Sequence, residues 1–315
     1  MNSAPDVRPD ASDGTLKPVT IAITGASGLI GTALTDALTA DGVRVIRLVR
    51  RESHSPDEVS WDPPRRWVDV DALSAAGVTA VVHLAGAGVG DHRWTASYKE
   101  QILSSRVDGT YAIAAAVSDL PGSVALISGS AIGFYGDTGT AVVDESAAPG
   151  QTFLADVVRQ WEAAAAPALE AGVRVAFART GLVVAAGGGA FGRMIPLFKA
   201  GIGGRIGPGT QWWSFISLTD EVRALRYLID NELSGPFNLV APHPVTNNEA
   251  VKDLGAALNR PAVLPVPAFA LRAALGEFAA EIIASQGVAP QRLTAAGFAW
   301  EHPTLPQALV AALGE

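Results

Sequence analysis

The chain has no cysteine, which removes disulfides, thiol nucleophiles and cysteine-bearing metal sites from consideration. That absence fits a cytosolic chain. No apolar run reaches the ~18 residues that a membrane span needs, so no membrane partner is expected. Basic clusters are missing as well: 23 Lys and Arg stand against 31 Asp and Glu, for a net charge of −8. Binding to a phosphate backbone draws on clustered cations, so nucleic acid is not an expected partner. The opening MNSAPDVRPDASDGT lacks the charged-then-apolar layout of a secretory signal. Residues 1–17 read as a short disordered extension. The expectation is a soluble, cytoplasmic chain with no metal site; its oligomeric state is left open.

What is present is apolar and glycine-rich. At 315 residues and 49% hydrophobic, the chain can bury a sizeable core in two domains or one large α/β unit. The organising stretch is VTIAITGASGLIG, Val19 to Gly31. Val19, Thr20, Ile21 and Ile23 favour a strand; Gly25, Gly28 and Gly31 follow as G-x-x-G-x-x-G. Leu29, Ile30, Ala33, Leu34, Ala37 and Leu38 then carry helical spacing. Strand, glycine turn and helix start together make an anion site, because the first helical amides lack intrahelical partners. The helix dipole adds roughly 0.3–1 kcal/mol for a negative group there. Gly25 permits the turn, Gly28 lets a pyrophosphate approach, and Gly31 lets helix and strand pack closely. A dinucleotide is therefore expected against Gly25, Ser27, Gly28, Leu29, Ile30 and Gly31.

Further strands are expected at 43–49, 59–61, 80–84, 123–127 and 173–178, with helices at 71–76, 95–117 and 154–171 between them. This alternation predicts an α/β fold, a Rossmann-like doubly wound parallel sheet over residues 18–185. A smaller, mainly helical C-terminal substrate lobe is expected over 186–315. Strands at 211–216 and 237–240 are candidates to cross back to the first domain. The glycine-rich segment 185–192 reads as mobile, with a short helix at 194–200.

The tip of the second strand reads Leu48-Val49-Arg50-Arg51, with the first acid at Glu52. An acid there would bond a ribose hydroxyl, whereas arginine suits a 2′-phosphate. NADP(H) is thus the expected cofactor, the alternative being a solvated basic turn. Leu84, Ala85 and Gly86 end the strand at 80–84 and leave room for a dinucleotide. His83 just before them reads as a packed core histidine ahead of a catalytic acid. Ser128 and Ser130 end the next strand, and Ser130 is the first candidate to hydrogen-bond a substrate oxygen. Tyr135 either donates a proton or walls the pocket. Trp212 and Gln211 are candidate substrate contacts, while Trp212 to Phe215 equally suit a half-buried strand. Ser217 and Asp220 have capping-box spacing.

Together with Arg179-Thr180-Gly181, these motifs resemble the extended short-chain dehydrogenases/reductases, the nucleotide-sugar epimerase/dehydratase relatives. More narrowly, LAGAGVGDHRW (84–94), SRVDGT (105–110), SGSAIGFYGD (128–137), FLADVVRQWE (153–162), GPGTQWWSFISLTD (207–220) and PVPAFALRAALGE (265–277) resemble an atypical "epimerase family" subgroup. The resemblance spans roughly residues 19 to 313 and implies NADP(H) binding, with Arg106, Ser128 and Arg179 joining the expected cofactor set. The wider family transfers protons with Tyr-x-x-x-Lys. None of the four tyrosines here has Lys four residues on, and Leu154 and Val158 take those two places. The subgroup also lacks the dyad, and it carries Arg, here Arg106, where the family's active-site Asn stands. Two functions remain open on these grounds. One is oxidoreductase or epimerase-type chemistry on a small polar carbonyl or hydroxyl substrate, with Tyr135, Lys99 or water supplying the proton. The other is a non-catalytic NADPH-binding module.

Overall fold

The computed structural model describes residues 19–314, so the extension expected over residues 1–17 lies outside them. Strand β1 (Thr20–Thr24) is buried along its whole length. The glycine turn leads into α1 (Leu29–Ala40), then β2 (Arg44–Val49) and β3 (Glu58–Asp62). A two-residue strand, β4 (Trp67–Val68), folds back antiparallel on β3 and had no signal in the sequence. Then come α2 (Val70–Ala75), β5 (Ala80–His83) and the long α3 (Ala96–Asp119). Thr95 caps α3, its hydroxyl accepting from the Tyr98 amide.

Strand β6 (Ala125–Ala131) runs past the expected end at Ile127. Helix α4 (Phe153–Ala163), α5 (Ala166–Glu170) and β7 (Val175–Thr180) follow. The single helix expected over 154–171 is broken because Pro167 has no N–H for the Ala163 carbonyl. The extra length of β6 comes from pairing: Ser128 to Ala131 lie in register with Phe177 to Thr180 of β7. Two serines and a glycine are poor strand formers alone, and β7 supplies the pairing that propensity does not.

Beyond β7 lie β8 (Leu182–Val184), α6 (Gly189–Lys199), β9 (Trp212–Trp213), β10 (Phe215–Ser217) and α7 (Leu218–Asp230). Strands β11 (Gly235–Leu239) and β12 (Val245–Thr246) precede α8 (Asn247–Ala257). The chain closes with α9 (Ala268–Leu275), α10 (Phe278–Ile283), α11 (Gln291–Ala295) and α12 (Leu305–Gly314). The large sheet has the order β11-β7-β6-β5-β1-β2-β3-β4, parallel except for the last pair. Strand order reverses between β1 and β5, and the crevice at their carboxyl ends is where such sheets bind ligands.

One face of the sheet packs on α1 and α7 through Leu34, Leu38, Leu225 and Leu228; the other packs on α2 and α3 through Leu73, Ile113 and Val117. The segment 211–216 is not one strand. Its first half, β9, pairs with β12 and its second, β10, pairs with β8, so neither joins the large sheet, whereas β11 does. The helix expected at 194–200 starts earlier, at Gly189, inside the segment read as mobile. Phe191, Ile195 and Phe198 explain it: all three are buried in the lobe core with Trp213, Phe215 and Leu254. Burying each such side chain contributes about 1.5–3 kcal/mol, more than the ~1 kcal/mol that a helical glycine costs. Among the described residues no helix is long and apolar enough to cross a membrane.

Candidate functional site

The glycine turn is shaped by what cannot fit into it. Gly25 has φ +68, and a Cβ there would lie 2.9 Å from the Ala85 nitrogen and the Leu84 carbonyl carbon. A Cβ on Gly31 would lie 2.1 Å from the Gly25 oxygen, so α1 starts directly against the turn. Gly28 differs: it is exposed, and the Gly25 oxygen at 3.3 Å is the sole neighbour a Cβ would meet. Its carbonyl begins the helix by accepting from Thr32, while no side chain caps the helix at Gly28. Ser27 and Gly28 are exposed at the uncapped start of the helix, whereas Leu29 and Ile30 are part-buried and pack against the core. An open rim of backbone donors is what a pyrophosphate requires.

Leu84 and Ala85 are held against this turn from below. The Thr24 hydroxyl accepts from the Leu84 amide at 3.1 Å and the Ala85 amide at 3.2 Å. With its lone pairs spent, it donates its proton to His83 Nδ1 at 2.7 Å, which puts the single N–H of the neutral ring on Nε2. His83 is fully buried, and burial, aided by Arg106, pushes its pKa down to about 3. It is the packed core histidine, and it braces the strand tip.

The two arginines at the end of β2 have different fates. The Arg51 fork is spent on Glu58, with contacts of 2.9 and 2.7 Å, and Glu58 is held down to about 2 by that bond and by the His54 amide. Arg50 is exposed and makes no hydrogen bond or ion pair among the described residues. Of the pair expected to meet a 2′-phosphate, Arg50 alone has a free guanidinium.

The serine strand tip leads into a closed polar network. Ser130 Oγ donates to Glu162 Oε1 at 2.6 Å. Glu162 also takes both arms of Arg179, at 2.8 Å each. Arg179 Nη1 donates to the Tyr135 hydroxyl at 2.9 Å, and that hydroxyl donates to Asn238 Oδ1 at 2.7 Å. The Asn238 amide in turn donates to Glu145. The guanidinium lies 3.5 Å from the centre of the Phe134 ring. Burial opposes the charge of Arg179, but Glu162 outweighs it and holds the pKa above the ordinary value. Burial likewise raises the Tyr135 phenol, against the pull of Arg179 and Asn238.

Several expected contacts are therefore corrected. Tyr135 does not project into the crevice beside Ser130; its hydroxyl has spent its proton inside the network, and the residue is buried. Arg179 is committed to Glu162 and does not face the cofactor crevice. Ser128 is fully buried within the sheet, its hydroxyl on the Gly129 carbonyl, so it too is removed from the crevice. Gln211 is buried and donates to the Ile206 carbonyl, holding a lobe loop. Trp212 is half-buried, with its indole N–H on the Thr140 carbonyl and its ring beside Gly287. Ser217 caps α7 by accepting from the Asp220 amide, but the reciprocal half of the expected box is absent, since the Asp220 carboxylate accepts from the Glu301 and His302 amides.

Arg106 comes to the crevice from the middle of α3. Its Nη1 donates to the carbonyls of Ala87 at 2.9 Å and Ile102 at 3.0 Å. The guanidinium carbon would lie 3.4 Å from a Cβ on Gly86 and stands 5.1 Å from the centre of the Trp161 ring. Burial lowers its pKa to about 10. Leu154 lines the same side in an apolar group with Val89, Trp94, Phe153 and Phe278, and offers no proton. Two groups lacked any sequence signal for their roles. Glu162 pairs across the fold, and Glu221 is buried under β7 with Thr180 donating to it at 2.7 Å. Burial pushes the Glu221 carboxyl up to about 8. Two surface depressions, of about 340 and 410 Å³, lie elsewhere and contain none of the expected site residues.

The profile of the NAD dependent epimerase/dehydratase family matches residues 21–239, and that of a domain of unknown function, DUF1731, matches 266–312. An epimerase family protein of Mycobacterium leprae is 46% identical over 92% of this chain and 94% of its own length. The crystal structure of human epimerase family protein SDR39U1 with NADPH is 31% identical, covers 94% of this chain and 99% of its own, and superposes with a TM-score of 0.84. A nucleoside-diphosphate sugar epimerase of Corynebacterium glutamicum is 38% identical with a TM-score of 0.78, covering 95% of this chain and 59% of its own. The chain belongs to the NAD dependent epimerase/dehydratase family, in the atypical extended branch that includes SDR39U1.

Proposed function

We propose that this chain binds NADPH in preference to NADH and uses it, in the cytoplasm, on a small polar carbonyl or hydroxyl compound. The observation that carries the reading is the open glycine rim ending at an unpaired Arg50, while Glu58 occupies Arg51. The NADPH in the human relative supports it. When bound, the cofactor would supply or accept the hydride, and water would give or take the proton that accompanies it. Ser130 is buried at the end of β6 and gives its proton to Glu162, so toward a substrate it would accept from a hydroxyl and not donate to a carbonyl. A second reading, a non-catalytic NADPH-binding module, is favoured by Leu154 and Val158, which can neither carry a proton nor shift a pKa.

Calorimetry with NADPH and NADH tests the cofactor choice. Arg50→Ala is expected to weaken NADPH by about ten- to a hundredfold, the worth of a charge-assisted phosphate bond, while leaving NADH unchanged. Arg51→Ala is expected to change NADPH affinity far less. Equal affinities for the two cofactors in the wild type would refute the assignment. Gly28→Val is expected to abolish cofactor binding in a folded protein, since it fills the open rim. Oxidation of NADPH against a carbonyl panel, repeated with Ser130→Ala, separates the two readings. Turnover that Ser130→Ala removes supports the enzyme; tight NADPH binding without turnover supports the module.

A further inference from the structure

Arg106 is provided for differently from its neighbours. Arg51 has Glu58, Arg179 has Glu162 and Arg193 has Asp91, whereas Arg106 pairs with no carboxylate among the described residues. Both of its hydrogen bonds leave from Nη1 and end on backbone carbonyls. Nε and Nη2 are unspent. The guanidinium is pressed between the backbone at Gly86 and the face of Trp161, so its free edge is fixed in direction. The indole N–H of Trp161, which is buried, has no acceptor either. A half-buried cation with no counter-charge has Nε and Nη2 free for one.

The surroundings say where that ligand lies. Gly86 ends the strand tip that abuts the glycine turn, and a Cβ on Gly129 would lie 3.2 Å from Trp161. Trp161 and Glu162 are consecutive on α4; Arg106 stacks over the first and Ser130 bonds the second, so both meet the same turn of that helix. Glu162 does not neutralise Arg106 there, because Arg179 takes both of its oxygens. The free guanidinium edge offers two parallel N–H groups, Nε and Nη2. That edge matches the two oxygens of a carboxylate one for one; a phosphate can take the same fork, and titration with inorganic phosphate separates the two.

We propose that Arg106 anchors a carboxylate of the substrate, so that the compound acted on is a small hydroxy or oxo acid. This rests on the NADPH-dependent reading above, and it moves Arg106 from the cofactor to the substrate. The carboxylate takes Nε and Nη2, and the hydroxyl or oxo carbon beside it faces Ser130.

The test is calorimetry on the full chain, with and without saturating NADPH, using lactate and pyruvate, their uncharged amides, and inorganic phosphate. The acids are expected to bind at least tenfold more tightly than lactamide and pyruvamide. Arg106→Met is expected to weaken the acids by about ten- to a hundredfold while NADPH affinity stays within about twofold. Arg106→Lys keeps charge without the fork and is expected to fall between; it also reads the site should the methionine variant misfold. Equal binding of acid and amide, no binding of either acid, or phosphate binding better than the acids would each overturn the assignment. A tenfold loss of NADPH affinity in Arg106→Lys would return the residue to the cofactor. Wild-type protein that fails to bind NADPH sinks the proposed function instead, and the acid titrations without cofactor still report on Arg106.

Discussion

The two sides of the crevice are built on opposite plans. Around the glycine turn the chain removes side chains: Gly25 and Gly31 let the turn, the β5 tip and α1 close up on one another, and Gly28 stays open at the helix start. Across from it, Ser130, Glu162, Arg179, Tyr135 and Asn238 satisfy one another in an unbroken chain of hydrogen bonds. The first side is incomplete without a ligand. The second is complete without one. A site for a large, invariant cofactor is made cheaply from backbone, whereas a network of buried charges must close on itself or destabilise the fold.

Breaking the closed side should give the largest effect. Glu162→Ala leaves Arg179 buried with no counter-charge, and a loss of about 3–5 kcal/mol in unfolding free energy is expected. Urea denaturation measures it, and NADPH affinity of the folded fraction should hold, since the glycine rim is untouched. A stability loss below ~1 kcal/mol would mean that the network is not closed as described.

A smaller effect should come from pH. Glu221 sits at about 8 when folded against an ordinary 4.5, so between these values the native state keeps a proton that the unfolded chain has lost. Stability from this group is therefore full at low pH and lost as pH rises through that window. The slope is about −1.4 kcal/mol per pH unit, or ~2–3 kcal/mol from pH 6 to 8. Glu221→Gln should flatten the profile over that range in parallel denaturation curves. A profile equally steep in both proteins would remove Glu221 as its cause.

The smallest effect sharpens the comparison most. Tyr135→Phe takes away one hydroxyl and leaves Asn238 and Arg179 each short of a partner, at about 1–3 kcal/mol. If Tyr135 belongs to the closed side alone, substrate turnover per folded molecule should be unchanged in a steady-state assay. A selective drop in kcat would instead make the phenol a proton carrier.

Much of the cofactor half was legible in the residue order. The turn and α1 are local: three glycines at fixed spacing and an apolar stripe at helical period dictate them within twenty residues. Leu29–Ala40 is helical as the pattern requires, and Thr95 caps α3 as its position requires. Proline breaks the helix after Ala163 for an equally local reason, though the apolar pattern running past it concealed the break. The extended end of β6 and the start of α6 were less legible, because partners outside the segment outweigh weak local propensity there.

The sequence by itself determined the alternating strands and helices, the glycine rim and the lack of a Tyr-x-x-x-Lys dyad, since each depends on neighbours along the chain. Only the tertiary structure decided which charged groups are free. Arg50 and Arg51 are adjacent and identical in type, yet Glu58 on the neighbouring strand takes one and leaves the other. Arg179 is claimed by Glu162 and Arg106 by no acid, for the same reason. A guanidinium's role follows from which carboxylate the fold brings within about 3 Å, and such pairs form between elements that packing alone brings together.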